Sequence, residues 1–171
     1  IRDIGVTGVQ TCALPIFRPG RIEDAERLVA FSQAMAFETE GRQLDEHRLR
    51  QGTRALLNSS DHGFFIVAEE PQTGQVVGQL MITYEWSDWR NALFWWIQSV
   101  YVDPARRRQG VFRQLHAKVI ERAKGVLMNR TGMSEPDAFR RLQKLASEKN
   151  KKLTEIATMI VTAEEAMGGV L

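Results

Sequence analysis

One long helical pattern connects the two halves of this chain of 171 residues. From Gly110 to about Arg130, apolar residues recur every three or four positions, which is the spacing that places them on one face of an α-helix. They are Val111, Leu115, Val119, Ala123, Val126 and Leu127. Such a helix spans roughly 30 Å, and no low-complexity or flexible linker interrupts it. We therefore expect it to carry one unit at its first end and another at its last.

The segment before this helix has the pattern of a mixed α and β layer. Helical spacing predicts helices over about 22–38 and within 45–60. Short apolar runs with β-branched residues predict strands at 63–70, 75–86 and 92–104, separated by the turns PQTG and SDWRN. Helices followed by a meander of strands indicate an α+β fold, with an α/β layer as the alternative.

The segment after about Arg130 has the pattern of short helices. In the break TGMSEPDAF, Gly132 suits the residue that ends one helix, and Ser134 with Asp137 suits the cap of the next. Two apolar stripes follow, and together with the long helix they predict a small three-helix bundle. Residues 122–152 contain nine Lys or Arg and three acids, although the formal net charge of the whole chain is +2. The basic excess therefore lies in the C-terminal third.

The first sixteen residues match a translated sequencing adapter. The segment VTGVQTCALPI, residues 6–16, is an in-frame translation of a widely used short-read adapter, and IRD fits the bases upstream of it. We set residues 1–16 apart as an artefact and expect the biological sequence to start mid-gene near Phe17. The one cysteine, Cys12, lies in that segment. We therefore expect no disulfide, cysteine nucleophile or metal site in the rest of the chain.

The hydropathy pattern argues against a membrane protein. No apolar run approaches the roughly 20 residues that a spanning helix needs. No basic segment followed by an apolar stretch has the pattern of a secretory signal. We expect a cytoplasmic protein.

A basic loop precedes the long helix in the segment IQSVYVDPARRRQGVFRQLH, residues 97–116. A strand that ends near Asp103 and a helix that starts after Gly110 bring backbone N–H groups and a helix N-terminus to one point. That point favours an anion such as a pyrophosphate, and the arginines at 106–108 add positive charge beside it. A basic loop before a helix can also be only a solvated turn.

Residues 17 to about 124 resemble the GNAT superfamily of acetyltransferases in the order of their elements: a strand, two helices, three antiparallel strands, a basic loop and a helix. RRQGVF, residues 107–112, matches the acyl-CoA loop Q/R-x-x-G-x-G/A of that family except at Phe112. The resemblance implies acetyl-CoA as the cofactor, with pantetheine on the last strand and pyrophosphate in the loop. The implied cofactor-binding residues are Ser99, Val100, Val102, Arg107, Arg108, Gln109, Gly110 and Val111.

Acetyl transfer to an amine acceptor needs a base, and often an acid that protonates the leaving thiolate. Glu85, at the end of the second predicted strand, is the candidate base, with Asp88 close by, although both also fit solvated turn acids. The later strands and the tyrosine-bearing helix that the resemblance implies are missing after Lys124. We therefore expect little or no turnover. The aromatic residues between Trp86 and Trp96 fit either a substrate slot or the core.

The segment from Glu121 to Glu165 contains AKGVLM, a Gly-Met-Ser break, DAFRRLQKLA and NKKLTEIA. With these features it resembles the ANTAR family of RNA-binding antiterminator modules. The resemblance implies a three-helix unit that binds hairpin RNA, and a basic face suits phosphates independently of it. The candidate RNA-binding residues are Lys124, Arg130, Arg140, Arg141, Lys144, Lys149, Lys151 and Lys152.

The segment VIERAKG, residues 119–125, fits both resemblances, so we place the junction inside the helix. We predict a partial acetyltransferase domain at 17–120 and an RNA-binding domain at 121–167. The join is either an assembly chimera, which the adapter favours, or an evolved fusion. The predicted function is an acetyl-CoA-dependent N-acetyltransferase domain joined to an RNA-binding region. The alternatives are an antitermination regulator without enzymatic activity and a scaffold with neither activity.

Overall fold

The computed structural model describes residues 14–59, 61–88 and 92–168. Most of the predicted adapter segment therefore lies outside the described residues. The elements are β1 (Ile16–Pro19), α1 (Ala25–Glu40), α2 (Glu46–Asn58), β2 (Gly63–Glu69), β3 (Val76–Ser87), β4 (Ala92–Val102), α3 (Val111–Thr131), α4 (Glu135–Glu148) and α5 (Leu153–Gly168). The predicted order of helices and strands is confirmed, and so is the mixed α and β fold class.

The four strands form one antiparallel sheet in the order β1-β2-β3-β4, so that β4 is an edge strand. The pairing of β3 with β4 shifts between Met81 and Ile82, which face Ser99 and Ile97 respectively and leave Gln98 without an opposite residue. An extra residue of this kind bends a strand and interrupts the hydrogen-bond ladder. The bulge divides β4 into two segments, and each of them lines a different cavity.

β1 begins at Ile16, one residue inside the segment that the sequence analysis set apart. Ile16 lies opposite Glu69 of β2, and its side chain is exposed. Backbone pairing requires no particular side chain at an exposed edge position, so a residue of the predicted adapter segment can extend the strand. Arg18 then anchors β1, because it donates from Nε to Glu69 at 2.6 Å and from Nη1 to Asp24 at 2.7 Å.

A single hydrophobic cluster runs from the sheet into the last helix. It includes Leu80 and Trp95 of the sheet, Leu115 of α3, Leu142 of α4 and Ile156 of α5. A smaller cluster on the other face of the sheet packs α1 against β2 and β3. The two ends of the chain therefore share one core.

This arrangement corrects the expectation that α3 separates two units at its ends. The left-handed Gly132 (φ 69°) ends α3, and Ser134 caps α4 by accepting from the Asp137 N–H, as predicted. The chain then turns back, and α5 packs along both α3 and β4. The physical reason is that the apolar stripe of α5 needs an apolar surface, while the open edge of β4 needs cover.

Two kinds of feature are absent from the described ranges. None of the helices within residues 14–59, 61–88 and 92–168 is both long and apolar enough to cross a bilayer. The same residues contain no group of three or more His, Cys, Asp or Glu side chains placed to hold a metal ion.

Candidate functional sites

The first cavity lies where β4 meets the N-terminus of α3, and its volume is about 850 Å³. Its walls come from α1, the end of β4, the basic loop and the first turn of α3. Seven of the eight predicted cofactor-binding residues line it together: Val100, Val102, Arg107, Arg108, Gln109, Gly110 and Val111. Ser99 lies on β4 just before this group but is not part of the lining.

The backbone of the basic loop is shaped to present N–H groups. Asp103 starts the loop by accepting from the Ala105 N–H at 3.0 Å. Arg108 and Gly110 have left-handed φ values of 65° and 82°, and such residues produce concave arrays of N–H groups. The first intrahelical bond of α3 runs from the Gln114 N–H to the Gly110 carbonyl. The preceding N–H groups at 111–113 therefore lack intrahelical acceptors, which makes this end of the helix suitable for an anion.

Arg107 is fixed at the entrance of the cavity by contacts that the sequence did not reveal. Its Nε donates to the Val102 carbonyl at 3.0 Å, and its Nη2 donates to Glu38 Oε2 at 2.7 Å. The Tyr101 hydroxyl donates to the same carboxylate at 2.8 Å. Hydrogen bonds from Arg107 and Tyr101 lower the pKa of Glu38, whereas burial raises the pKa of Tyr101. Glu38 is 69 positions away from Arg107, so no local pattern could have identified it.

Phe112 replaces the small residue expected at the start of α3, and it does not fill the loop. Its side chain is 57% exposed and lines the first cavity. The ring packs against His116, one turn later, with 4.5 Å between the ring centroids. Because His116 lines the second cavity, this ring pair lies between the two cavities.

The second cavity, of about 800 Å³, lies between the other segment of β4, α3 and α5. The predicted base Glu85 is found here with Asp88, and its carboxylate accepts from Trp96 Nε1 at 2.5 Å. His116, which the sequence analysis missed, contributes a buried Nε2 with no hydrogen-bond partner among the described residues. Burial, together with the nearby Lys152, lowers the pKa of His116.

The tryptophan side chains that the structure describes in this region lie in two different environments. Trp95 is buried in the core, where it packs edge-on against Phe64 with 5.0 Å between ring centroids. Trp86 and Trp96 are exposed and line the second cavity. The core interpretation therefore holds for Trp95, whereas a substrate slot at Trp86 and Trp96 stays a prediction.

The predicted RNA-binding residues do not form one continuous face. Lys124 was predicted to extend an exposed basic face, and the structure corrects this. Its side chain is only 8% exposed and pairs with Glu121 and Glu135, each at 2.7 Å. Those two carboxylates raise its pKa. A lysine that is buried by two acids of its own fold cannot extend an outward patch.

The remaining basic residues are exposed, with local partners or none. Arg140 pairs with Asp137 at 2.5 Å, Lys144 with Glu148 at 3.8 Å and Lys151 with Glu155 at 3.5 Å. Arg130 is also exposed and has a contact. Among the predicted RNA-binding residues, three form no ion pair within the described part of the chain: Arg141, Lys149 and Lys152. Lys152 lines the second cavity.

The sequence predicts that Phe139 belongs to the apolar stripe of α4 with Ala138, Leu142, Leu145 and Ala146, but Phe139 departs from it. Ala138 and Leu142 are fully buried, whereas Phe139 is 37% exposed at the border of the stripe. The Lys124 ammonium lies 5.9 Å from the centre of its ring. The stripe is therefore narrower than the sequence suggested.

The N-terminal part has close structural relatives. The crystal structure of a possible acetyltransferase from Clostridium difficile 630 is 42% identical to this chain and superposes with a TM-score of 0.59, covering 64% of this chain and 70% of that chain. The N-terminal part of the chain therefore belongs to the same family as that possible acetyltransferase, and GNAT acetyltransferases are among its structural neighbours. A predicted acetyltransferase from Clostridium acetobutylicum, crystallised with acetyl-CoA, is 18% identical and superposes with a TM-score of 0.53. The superposition covers 64% of this chain and 73% of that chain. At this identity the likeness supports the fold alone.

The C-terminal part matches a different family. The model of the ANTAR domain matches residues 113–161. The nitrate regulatory protein of Klebsiella oxytoca is 45% identical over 47 residues, which are 28% of this chain and 12% of that protein. The chain thus spans a small share of this relative. The two-part architecture is confirmed, and because the match begins at Arg113, both parts use α3. The boundary at residue 120 stays a prediction.

Proposed function

We propose that the acetyltransferase part binds acetyl-CoA in the first cavity and belongs to an N-acetyltransferase that modifies an amine. The observation that carries the proposal is the convergence of seven predicted residues on one cavity at the N-terminus of a long helix. Free N–H groups, the helix dipole and the neighbouring guanidinium groups all favour a pyrophosphate at this place.

The residues present fit this cofactor. A Cβ built on Gly110 would meet only the ends of the Arg113 and Gln114 side chains, at 3.8 and 3.9 Å, so a ligand can approach the backbone there. When bound, acetyl-CoA supplies an activated thioester and a thiolate leaving group. Arg107 is preoriented by Glu38 and the Val102 carbonyl, and its charge is shared with Glu38 until an anion competes for it.

Binding is tested by calorimetry with acetyl-CoA on the full chain. We expect weak but measurable binding that an Arg107→Glu, Gly110→Asp double variant loses, because the variant places two carboxylates where the pyrophosphate would lie. Arg48→Glu, a charge reversal on the exposed face of α2, is the matched control. Equal heats for the wild type and the double variant would contradict the proposal.

We expect turnover to be absent or very low. Within the described residues α5, rather than a further strand, packs along β4, so this part of the chain lacks the late catalytic elements that the resemblance implies. Glu85 and His116 remain as candidate bases in the neighbouring cavity. A thiol-release assay over a panel of small amines measures this, and rapid release of CoA would show that the groups present suffice.

A second candidate function is binding of hairpin RNA, in line with the regulator alternative. It is favoured by the ANTAR match and by the exposed Arg140, Arg141 and Lys144 on α4, with Lys149 and Lys151 after it. Local ion pairs such as these exchange readily for phosphates because they are solvated.

The salt dependence of binding tests this candidate. Replacing Arg140, Arg141 and Lys144 together by Gln should reduce the slope of log affinity against log salt by up to about 0.7 to 0.9 per lost phosphate contact. The triple substitution of Arg42, Arg48 and Arg54 by Gln, in the loop before α2 and in α2 itself, is a control of equal charge. An unchanged slope in the first variant would place any RNA-binding surface elsewhere.

A further inference from the structure

The second cavity is built by both parts of the chain. Trp96 and Ile97 come from β4, His116 from the start of α3, and Thr158 and Met159 from α5. It shares no lining residue with the first cavity, and its volume of about 800 Å³ falls in the range of roughly 300–1,000 Å³ of small-molecule sites. It can therefore hold a ligand of its own.

Opposite charges line different walls of this cavity. On the sheet, the Glu85 carboxylate accepts a hydrogen bond from the Trp96 indole and forms no ion pair within the described ranges. On the helical side, Lys151 is paired with Glu155 at 3.5 Å, whereas Lys152 has no such partner there. Glu85 and Lys152 thus face one cavity without pairing with each other. A ligand that carries both charges would satisfy the two groups at once.

The rest of the lining adds an apolar slot and one unsatisfied polar atom. The exposed faces of Trp86 and Trp96, with Ile97 and Met159, provide apolar surface, and an ammonium over an indole face gains a further attraction. The buried His116 Nε2 has no partner among the described residues. Buried polar atoms are rarely left unpaired, so this nitrogen is a third group that a polar ligand can satisfy.

We infer that the second cavity binds a zwitterionic α-amino acid with an apolar side chain. Its ammonium lies at Glu85, beside the Trp96 indole, and its carboxylate at Lys152, where the Nε2–H form of His116 can also donate to it. The apolar side chain packs on the tryptophans. Binding itself is independent of acetyl-CoA. Only the consequence that this amine is the acetyl acceptor rests on the proposed function.

The test compares three ligands on the full chain by calorimetry in the absence of CoA. L-phenylalanine carries both charges, 2-phenylethylamine only the ammonium, and 3-phenylpropanoate only the carboxylate. We expect L-phenylalanine to bind at least about tenfold more tightly than either single-charge analogue, since a charge-assisted hydrogen bond is worth about that factor or more. Equal affinities for all three, or no binding of L-phenylalanine, would overturn the inference.

Two variants locate each end of the ligand. Lys152→Gln should bring L-phenylalanine down to the affinity of 2-phenylethylamine, and Glu85→Gln should bring it down to that of 3-phenylpropanoate. Lys118→Gln and Glu23→Gln, exposed charges outside the cavity, should leave the ranking unchanged. Because each variant must alter discrimination against one analogue and not the other, general unfolding cannot imitate the expected result. Failure of acetyl-CoA to bind in a separate titration would count against the proposed function alone.

Discussion

The cations of the loop before α3 and those of α4 differ in how far along the sequence their acidic partners lie. Arg107 pairs with Glu38, and Arg106 with Glu70, across 69 and 36 positions of sequence. Arg140 and Lys144 pair with acids three and four positions away on their own helix. Long-range pairs hold the loop cations in fixed directions around a cavity, whereas local pairs leave the helical cations on a solvated, convex face. The first arrangement suits one defined anion, and the second suits an extended polyanion.

The largest effect should come from the core that both regions share. Leu142→Ala on α4 should lower the free energy of unfolding by about 2–5 kcal/mol, the usual cost of deleting a fully buried leucine. Because the tryptophans that the structure describes lie in the sheet region, a transition followed by tryptophan fluorescence should shift with it. Gln143→Ala, its exposed neighbour, is the control. An unchanged fluorescence transition would show that the two regions unfold separately.

The loop pair can be tested by removing its acid. Glu38→Gln should strengthen acetyl-CoA binding by about two- to fivefold, the scale of a solvated ion pair, because Arg107 then offers its full charge to the pyrophosphate. Glu40→Gln, at the end of the same helix, is the matched control. Weaker binding in Glu38→Gln would mean that orientation of Arg107 matters more than its free charge. Calorimetry with acetyl-CoA at two salt concentrations distinguishes these outcomes.

His116 lies where the two regions meet and should make stability depend on pH. Burial lowers its pKa in the folded state below the ordinary 6.5, so the unfolded chain takes up the proton first. The contribution of neutral His116 to the free energy of unfolding is complete above about pH 6.5. It is lost as the pH falls through the folded-state pKa. Denaturant unfolding between pH 7 and pH 5 measures the slope. The slope should become shallower in His116→Gln, whereas His47→Gln, on the surface of α2, should retain it.

The smallest effect should come from the exposed cations of α4. The triple variant of Arg140, Arg141 and Lys144 should change the free energy of unfolding by no more than about 0.5 kcal/mol per site, as is usual for surface substitutions. Thermal unfolding at moderate salt checks this. A larger loss would show that these side chains support the fold, and the contrast between a structural loop and a solvated helix face would then fail.

Local chemistry determined much of this fold from the sequence alone. Gly132 and Ser134 specified the turn between α3 and α4 because their preferences concern only their own backbone. The apolar spacing specified the long helix, and the basic loop for which we propose anion binding was recognisable because its parts are adjacent in the chain. Seven of the eight predicted cofactor-binding residues therefore meet in one cavity.

Tertiary structure decided whatever depended on distant residues. The packing of α5 along β4 could not be predicted from the apolar stripe of α5. Such a stripe indicates how much apolar surface must be buried, but not which element will cover it. Lys124 looked like a surface cation until Glu121 and Glu135 were placed on either side of it. Glu85, His116 and Lys152 come from three separate segments. Their meeting in one cavity follows from how the helices pack, because no spacing in the sequence relates them.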